Sequence, residues 1–180
     1  GTTLTSLTNS GAVTIKISSD EVYLGGISGE TSSLTAETLT NSAKITYEGT
    51  CVGPCRIGGC LGNGSGTYTT LENTGEIVVT GTTTADYMYV GGVVGINAAT
   101  LNGVINRGTM NLAGSSKKIY QVGGVIGYTS GKITTAKNYG ELNFDGTSSS
   151  AFCAGGVVGY LANDSCTGHT NESTGTLAVG

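Results

Sequence analysis

Five cysteines have the most chemistry to offer in this 180-residue chain: Cys51, Cys55, Cys60, Cys153 and Cys166. Cys51-Val-Gly-Pro-Cys55 is a short loop that a local disulfide can close. Cys60 follows five residues later, which in extended chain is ~16 Å, too far for a bridge to Cys55. It fills an apolar position and reads as a small buried hydrophobe. Cys153 and Cys166 are expected to pair across a corner. A zinc ion would find three thiols in Cys51, Cys55 and Cys60, but no histidine stands near them and one thiol faces the core. No metal site is expected. Two disulfides with one free thiol fit a secreted protein.

Carboxylates come next. Hydrolases and lyases need paired acids, or acids with Arg and Lys, converging on one face. Glu76 and Glu141 share a repeat column but lie two units apart, with Thr109 between them. Glu48 and Asp145 share another column, three units apart. His169 is the only histidine. It has no fixed Ser or Cys partner and reads as a solvent-facing loop residue. The glycine-rich motifs lack the Gly-Lys-Ser/Thr ending and the following helix of a phosphate loop. The expectation is no catalytic residue and no cofactor.

Binding chemistry has better candidates. Tyr128 and Tyr160 occupy equivalent positions in adjacent units and should stack in a column, where they would suit a sugar ring. Tyr23 and Tyr89 point outward in another column. Tyrosine also suits strands for packing alone, and that is the simpler reading. Asn63-Gly-Ser65, Asn163-Asp-Ser165 and Asn171-Glu-Ser173 are acceptor sequons for glycans, all expected in corners. Flat ranks of Thr would suit ice binding, but no column reads as consistently Thr.

All these residues hang on one repeat. A glycine pair, two further residues and another glycine recur as Gly25-Gly26-Ile27-Ser28-Gly29, Gly58-Gly59-Cys60-Leu61-Gly62, Gly91-Gly92-Val93-Val94-Gly95, Gly123-Gly124-Val125-Ile126-Gly127 and Gly155-Gly156-Val157-Val158-Gly159. The spacings are 33, 33, 32 and 32 residues. Just before each pair, Val22, Cys55, Met88, Tyr120 and Phe152 form one apolar column, and Leu24, Ile57, Val90, Val122 and Ala154 another. Tyr23, Arg56, Tyr89, Gln121 and Cys153 lie between them. Inward and outward residues alternating in this way have the strand period. Ile27, Cys60, Val93, Val125 and Val157 extend the apolar stripe past the glycines.

A second strand follows about ten residues on, with Tyr68 and Leu71, Leu101 and Val104, Ile133 and Ala136. Asn9, Asn41, Asn73, Asn106 and Asn138 then mark a corner. Gly11, Gly75, Gly108 and Gly140 follow two residues later, with Ala43 the exception. Both residue types tolerate left-handed backbone, so a tight left-handed corner is expected. The third strand runs from Val13 and Ile15 in the first unit to Leu177 and Val179 in the last. A polar loop of varied sequence closes each unit.

Each unit therefore supplies three short strands, and a single unit cannot bury its own apolar stripe. Stacked units bury it continuously. The fold expected is a single all-β domain over 1–180, a parallel β-helix or β-solenoid. It has a partial coil 1–24 and coils 25–57, 58–90, 91–122, 123–154 and 155–180. Strand crossovers favour right-handed winding. Helix is excluded by the lack of 3.6-residue periodicity and by the 32 glycines.

Gly-Gly-Val-Val-Gly followed by Asn-x-Gly, best seen from Val90 to Gly108 and from Val122 to Gly140, resembles the GLUG-type repeats of bacterial surface proteins. These include adhesin-like proteins and the non-catalytic region of some IgA-cleaving peptidases. Ser28 departs from the pattern, and an insertion before Gly175 sets Asn171 off from its column. The resemblance implies a stalk or display surface.

Composition agrees with display rather than chemistry. Charged residues are 11% of the chain, against roughly 25% in ordinary domains. A net charge of −4, with only Lys117 and Lys118 adjacent, argues against nucleic acid. No apolar run approaches the ~20 residues of a membrane span. The sequence begins and ends inside a unit without a polar cap. That implies either neighbouring sequence in a longer protein or self-association through the solenoid ends. The expected function is a non-enzymatic, structural or adhesive segment of a cell-surface or secreted protein, with a carbohydrate or host-surface ligand. An end-to-end extracellular filament comes second, and a polysaccharide-binding or polysaccharide-processing β-helix third.

Overall fold

The structure is a computed structural model that describes residues 3–162, 167–171 and 177–179. Among them every regular element is a strand, and every strand pairing is parallel and links successive coils. The chain is a β-solenoid.

Each coil contributes strands to between three and five sheets. One full coil shows the order: Leu61–Gly64 in sheet A, Gly66–Asn73 in sheet B, Ile77–Val79 in sheet C, Thr82–Thr83 in sheet D and Met88–Gly91 in sheet E. Sheets B, C and E are the three strands legible in the sequence. Sheet D is the polar loop of varied sequence. Its two-residue strands pair Ser18, Thr50, Thr82, Ser115 and Thr147 in one column. Sheet A begins just past the glycine pair, where the sequence reading continued the preceding strand.

Register follows the columns. Val22, Cys55, Met88, Tyr120 and Phe152 are successive partners in sheet E. Val13, Ile45, Ile77, Met110 and Leu142 are partners in sheet C. Identical depth in successive coils is what a one-residue slip would destroy, because it would turn every apolar side chain outward.

The apolar stripe is not continuous across the glycines. The buried residues form two cores. One holds Leu24, Ile57, Val90 and Val122 of sheet E with Ile45, Ile77, Met110 and Leu142 of sheet C. The other holds Cys60, Val93 and Val125 with Leu39, Leu71 and Val104 of sheet B. The chain thus turns between Val90 and Val93, and the two residues serve different cores.

A column of asparagines forms the seam. Asn41, Asn73, Asn106 and Asn138 are fully buried. Each side-chain Nδ2 donates twice: to the Oδ1 of the next Asn and to the carbonyl two residues on. For Asn73 these bonds reach Asn106 Oδ1 at 3.0 Å and Gly75 O at 2.8 Å. Oδ1 accepts from the Asn below and from the amide N–H two residues on. The ladder runs unbroken from Asn9 through Asn138 to Asn171. Asn171 therefore stays in its column in register with Asn138, despite the insertion read near it. A buried amide is tolerated here because every polar atom is satisfied.

Close approach, not left-handed backbone, explains the conserved pattern of glycines within the repeat. Among the described residues only Ser33, Gly66 and Gly168 have positive φ, so the Asn-x-Gly corners are not left-handed. A Cβ on Gly92 would lie 2.5 Å from Asn106 Cγ. One on Gly95 would lie 2.6 Å from Ile57 N, and one on Gly127 2.8 Å from Val90 N. The second glycine of each motif thus abuts the asparagine ladder. The last abuts the sheet E backbone, so sheet A lies directly on sheet E with no side chain between them. Gly92→Ala should lower unfolding stability by roughly 3 kcal/mol or more, because the Gly124 carbonyl on one side and the hydrogen-bonded Asn106 side chain on the other leave the new methyl no room. Gly11→Ala, whose new Cβ meets nothing nearer than Asn9 Oδ1 at 3.8 Å, should change stability by less than ~0.5 kcal/mol. Urea titrations of both variants check the contrast.

Candidate functional site

Glycine-mediated contact between sheets A and E brings two outward columns side by side. Sheet E contributes Tyr23, Arg56, Tyr89, Gln121 and Cys153 in register. Sheet A contributes Glu30, Asn63, Ile96, Tyr128 and Tyr160. The furrow between them changes character along the rod.

At one end it is polar and self-satisfied. The Tyr23 hydroxyl donates to Glu21 at 2.6 Å, and Arg56 Nη1 donates to the same carboxylate at 2.9 Å. The Arg56 guanidinium stands 4.4 Å above the Tyr23 ring. Asn63 Nδ2 donates to Glu30 Oε1 at 2.9 Å. The hydrogen bond from Tyr23, followed by that from Arg56, holds Glu21 below the usual carboxylate range. Every strong group there already has a partner.

At the other end it is aromatic. Tyr128 and Tyr160 stack with centroids 5.6 Å apart and planes 6° apart, as their equivalent positions require. Tyr87 and Tyr89 stack at 5.7 Å and 13°. The two pairs meet at 70° between Tyr89 and Tyr128, centroids 5.8 Å apart. Two walls of tyrosine thus enclose a groove of about 340 Å³, with Ile119 and Gln121 also lining it. That volume sits at the lower end of the range for small-ligand pockets, roughly 300–1,000 Å³. Tyr160 is 46% exposed. Burial, helped by Asp86, pushes the Tyr89 phenol up to about 12, so that ring stays neutral. Lys118 lies 5.3 Å over the Tyr87 ring and is ion-paired to Asp86 at 3.4 Å.

Tyr87 and Gln121 were not read from the sequence as site residues. Tyr87 lies in the variable stretch before sheet E, and Gln121 looked like one outward residue among five. Only the fold-back of sheet A makes them neighbours of Tyr128.

The other candidates are distributed elsewhere. Cys51 and Cys55 form a disulfide with Cα atoms 6.7 Å apart, within the first core. Cys60 is buried, and burial raises its thiol to about 12. Cys153 is a half-buried free thiol, and its expected partner Cys166 lies outside the described residues, as does the sequon residue Asn163. Asn63 lies within a strand, not a corner, and Asn171 ends a ladder strand. Glu21, Glu48, Glu72, Glu76 and Asp86 each pair with a cation of a neighbouring coil. Among the described residues no cluster of three metal-ligating side chains occurs, and no helix is long and apolar enough to cross a membrane.

The reading of threonine needs correction too. Thr3, Thr35, Thr67 and Thr100 form one column on sheet B. Lys132 ends it, and Glu72, Ile105 and Lys137 interrupt the column of Thr8 and Thr40 on the same sheet, so the face is mixed rather than a uniform Thr lattice.

Comparison of the chain with protein-family models, with characterised proteins and with solved structures finds no match. Geometry alone carries the functional argument.

His169 is not in a solvent-facing loop. It is a strand residue in register with Ala136, in the column of Leu39, Leu71 and Val104, and both ring nitrogens are buried without a partner. Burial lowers its pKa below the ordinary 6.5. As pH falls below that value the unfolded chain takes the proton before the folded one, so stability is lost on acidification. Between pH 7.5 and 5, the thermal midpoint of the wild type should fall more steeply than that of His169→Val. Parallel pH profiles would contradict this placement.

Proposed function

We propose that this chain is a non-enzymatic structural and adhesive segment of an extracellular or cell-surface protein, a rod that presents the tyrosine groove to a surface ligand. The supporting observation is the groove. Four tyrosines from three coils converge on an outer face, where none is needed to fill either core. Exposed aromatic clusters of this kind mark interaction sites rather than packing. A solenoid suits presentation because each coil is braced by its neighbours, so an outer face is held in fixed register. The Cys51–Cys55 disulfide fits an oxidising compartment.

The test is retention of the purified protein on mucin-coated surfaces and on epithelial cell layers. Wild type should be retained, and Tyr160→Ala, an exposed change that leaves both cores intact, should lose at least about tenfold in half-saturating concentration. Equal retention of the two proteins would remove the groove from adhesion. Release of new reducing ends from a bound polysaccharide would overturn the non-enzymatic reading.

A further inference from the structure

We propose that the groove takes a neutral pyranose oligosaccharide, with the tyrosine walls packing its C–H faces and the Gln121 amide reading one of its hydroxyls. This rests on the adhesive reading and names its ligand class.

Three observations select that chemistry. The first is the shape of the lining. Two pairs of parallel rings set at 70° give a ligand flat apolar faces on two sides. Tyrosine offers such a face together with a hydroxyl that both donates and accepts. A pyranose has the matching pattern, with C–H groups on its faces and hydroxyls around its rim.

The second is charge. No acidic or basic residue lines the groove, and Lys118 beside it is already paired to Asp86. A carboxylated or sulfated sugar would find no uncommitted cation there. A neutral sugar keeps its hydroxyls half-solvated and loses no strong ionic hydration.

The third is Gln121. This side chain is 4% exposed, and its Oε1 is buried with no hydrogen-bond partner. Its column neighbours on either side, Tyr89 and Cys153, supply none. An unpaired buried carbonyl oxygen is costly, because it has given up its bonds to water and gained none in return. The terminal amide torsion is soft, so the oxygen can turn toward the groove. There it accepts from a ligand that donates. A sugar hydroxyl donates. A proline-rich peptide, the other usual guest of aromatic grooves, lacks N–H at its prolines and offers mainly carbonyl acceptors. The orphan acceptor therefore favours the sugar.

Four of the nine tyrosines line the groove and the chain has no tryptophan, so a ligand bound there changes tyrosine emission without a competing indole signal. The full chain is titrated with β-1,4-linked trisaccharides of glucose, galactose and mannose, and with an octaproline peptide. At least one trisaccharide should give a saturable change, confirmed by calorimetry. Tyr160→Ala and Gln121→Met should each weaken it by about tenfold or more. Methionine keeps the buried volume while removing the amide, and thermal melts confirm that both variants are folded. No saturation with any trisaccharide overturns the proposal. So does binding that both variants retain, or octaproline binding that depends on Tyr160. If Tyr160→Ala abolishes surface retention while no trisaccharide binds or competes, adhesion stands and the sugar falls. If retention survives in Tyr160→Ala, the adhesive reading falls first.

Discussion

A ladder of buried asparagine side chains sets the geometry of this molecule. An amide buried between two apolar cores is tolerable only if both donor hydrogens and the acceptor oxygen are used. Each Asn meets that demand with one bond up the stack, one from below, and a pair to the backbone two residues on. The first two fix the rise between coils, and the local pair fixes the corner. The ladder also requires an opposing residue without a side chain, which is why Gly26, Gly59, Gly92, Gly124 and Gly156 face it. Two of the most regular features of the repeat are thus one contact seen from its two sides.

The groove is a consequence of that contact. Once the chain turns at the glycine pair, the next strand can lie back on sheet E only where its own glycine faces the backbone beneath. Backbone then approaches backbone, and the outward columns of the two sheets become neighbours. What occupies those columns is free to vary without touching either core. In this chain one end of the furrow carries Glu21, Tyr23 and Arg56 in a closed network, and the other carries Tyr87, Tyr89, Tyr128 and Tyr160. Scaffold and binding surface are therefore set by different residues of the same repeat, which is the logic by which solenoids acquire partners.

The apolar columns made the parallel stack legible in the sequence, because identical depth in each coil demands similar residues at fixed spacing. The register of sheets B, C and E follows from Leu71 with Val104, Ile77 with Met110, and Val90 with Val122. What was missed shares one cause. Hydroxyl residues carry no depth signal from coil to coil, so the column of Ser18, Thr50, Thr82, Ser115 and Thr147 reads as a loop, though it is a paired sheet. Thr3, Thr35, Thr67 and Thr100 escaped notice in the same way. The role of the glycines was misjudged for a different reason. A linear sequence displays conformational freedom as a property of glycine itself, whereas close approach belongs to the partner across the fold. Val90 and Val93 looked like one stripe until the turn between them divided the cores. Tyr128 and Tyr160 were legible as a stacked pair, but the walls supplied by Tyr87 and Tyr89 and the amide of Gln121 were not, because they are distant in sequence and meet only through the fold-back.

Side-chain hydrogen exchange of the asparagines, followed by NMR after transfer to deuterated solvent, tests the central claim most directly. If the ladder is the structural seam, the Nδ2 protons of Asn73 and Asn106 exchange as slowly as the backbone amides of Ile77 and Val90 in the core strands, and only through global unfolding. Exchange within minutes, while those backbone amides remain protected, would mean that the asparagines are solvated and that the cores hold the coils together without them.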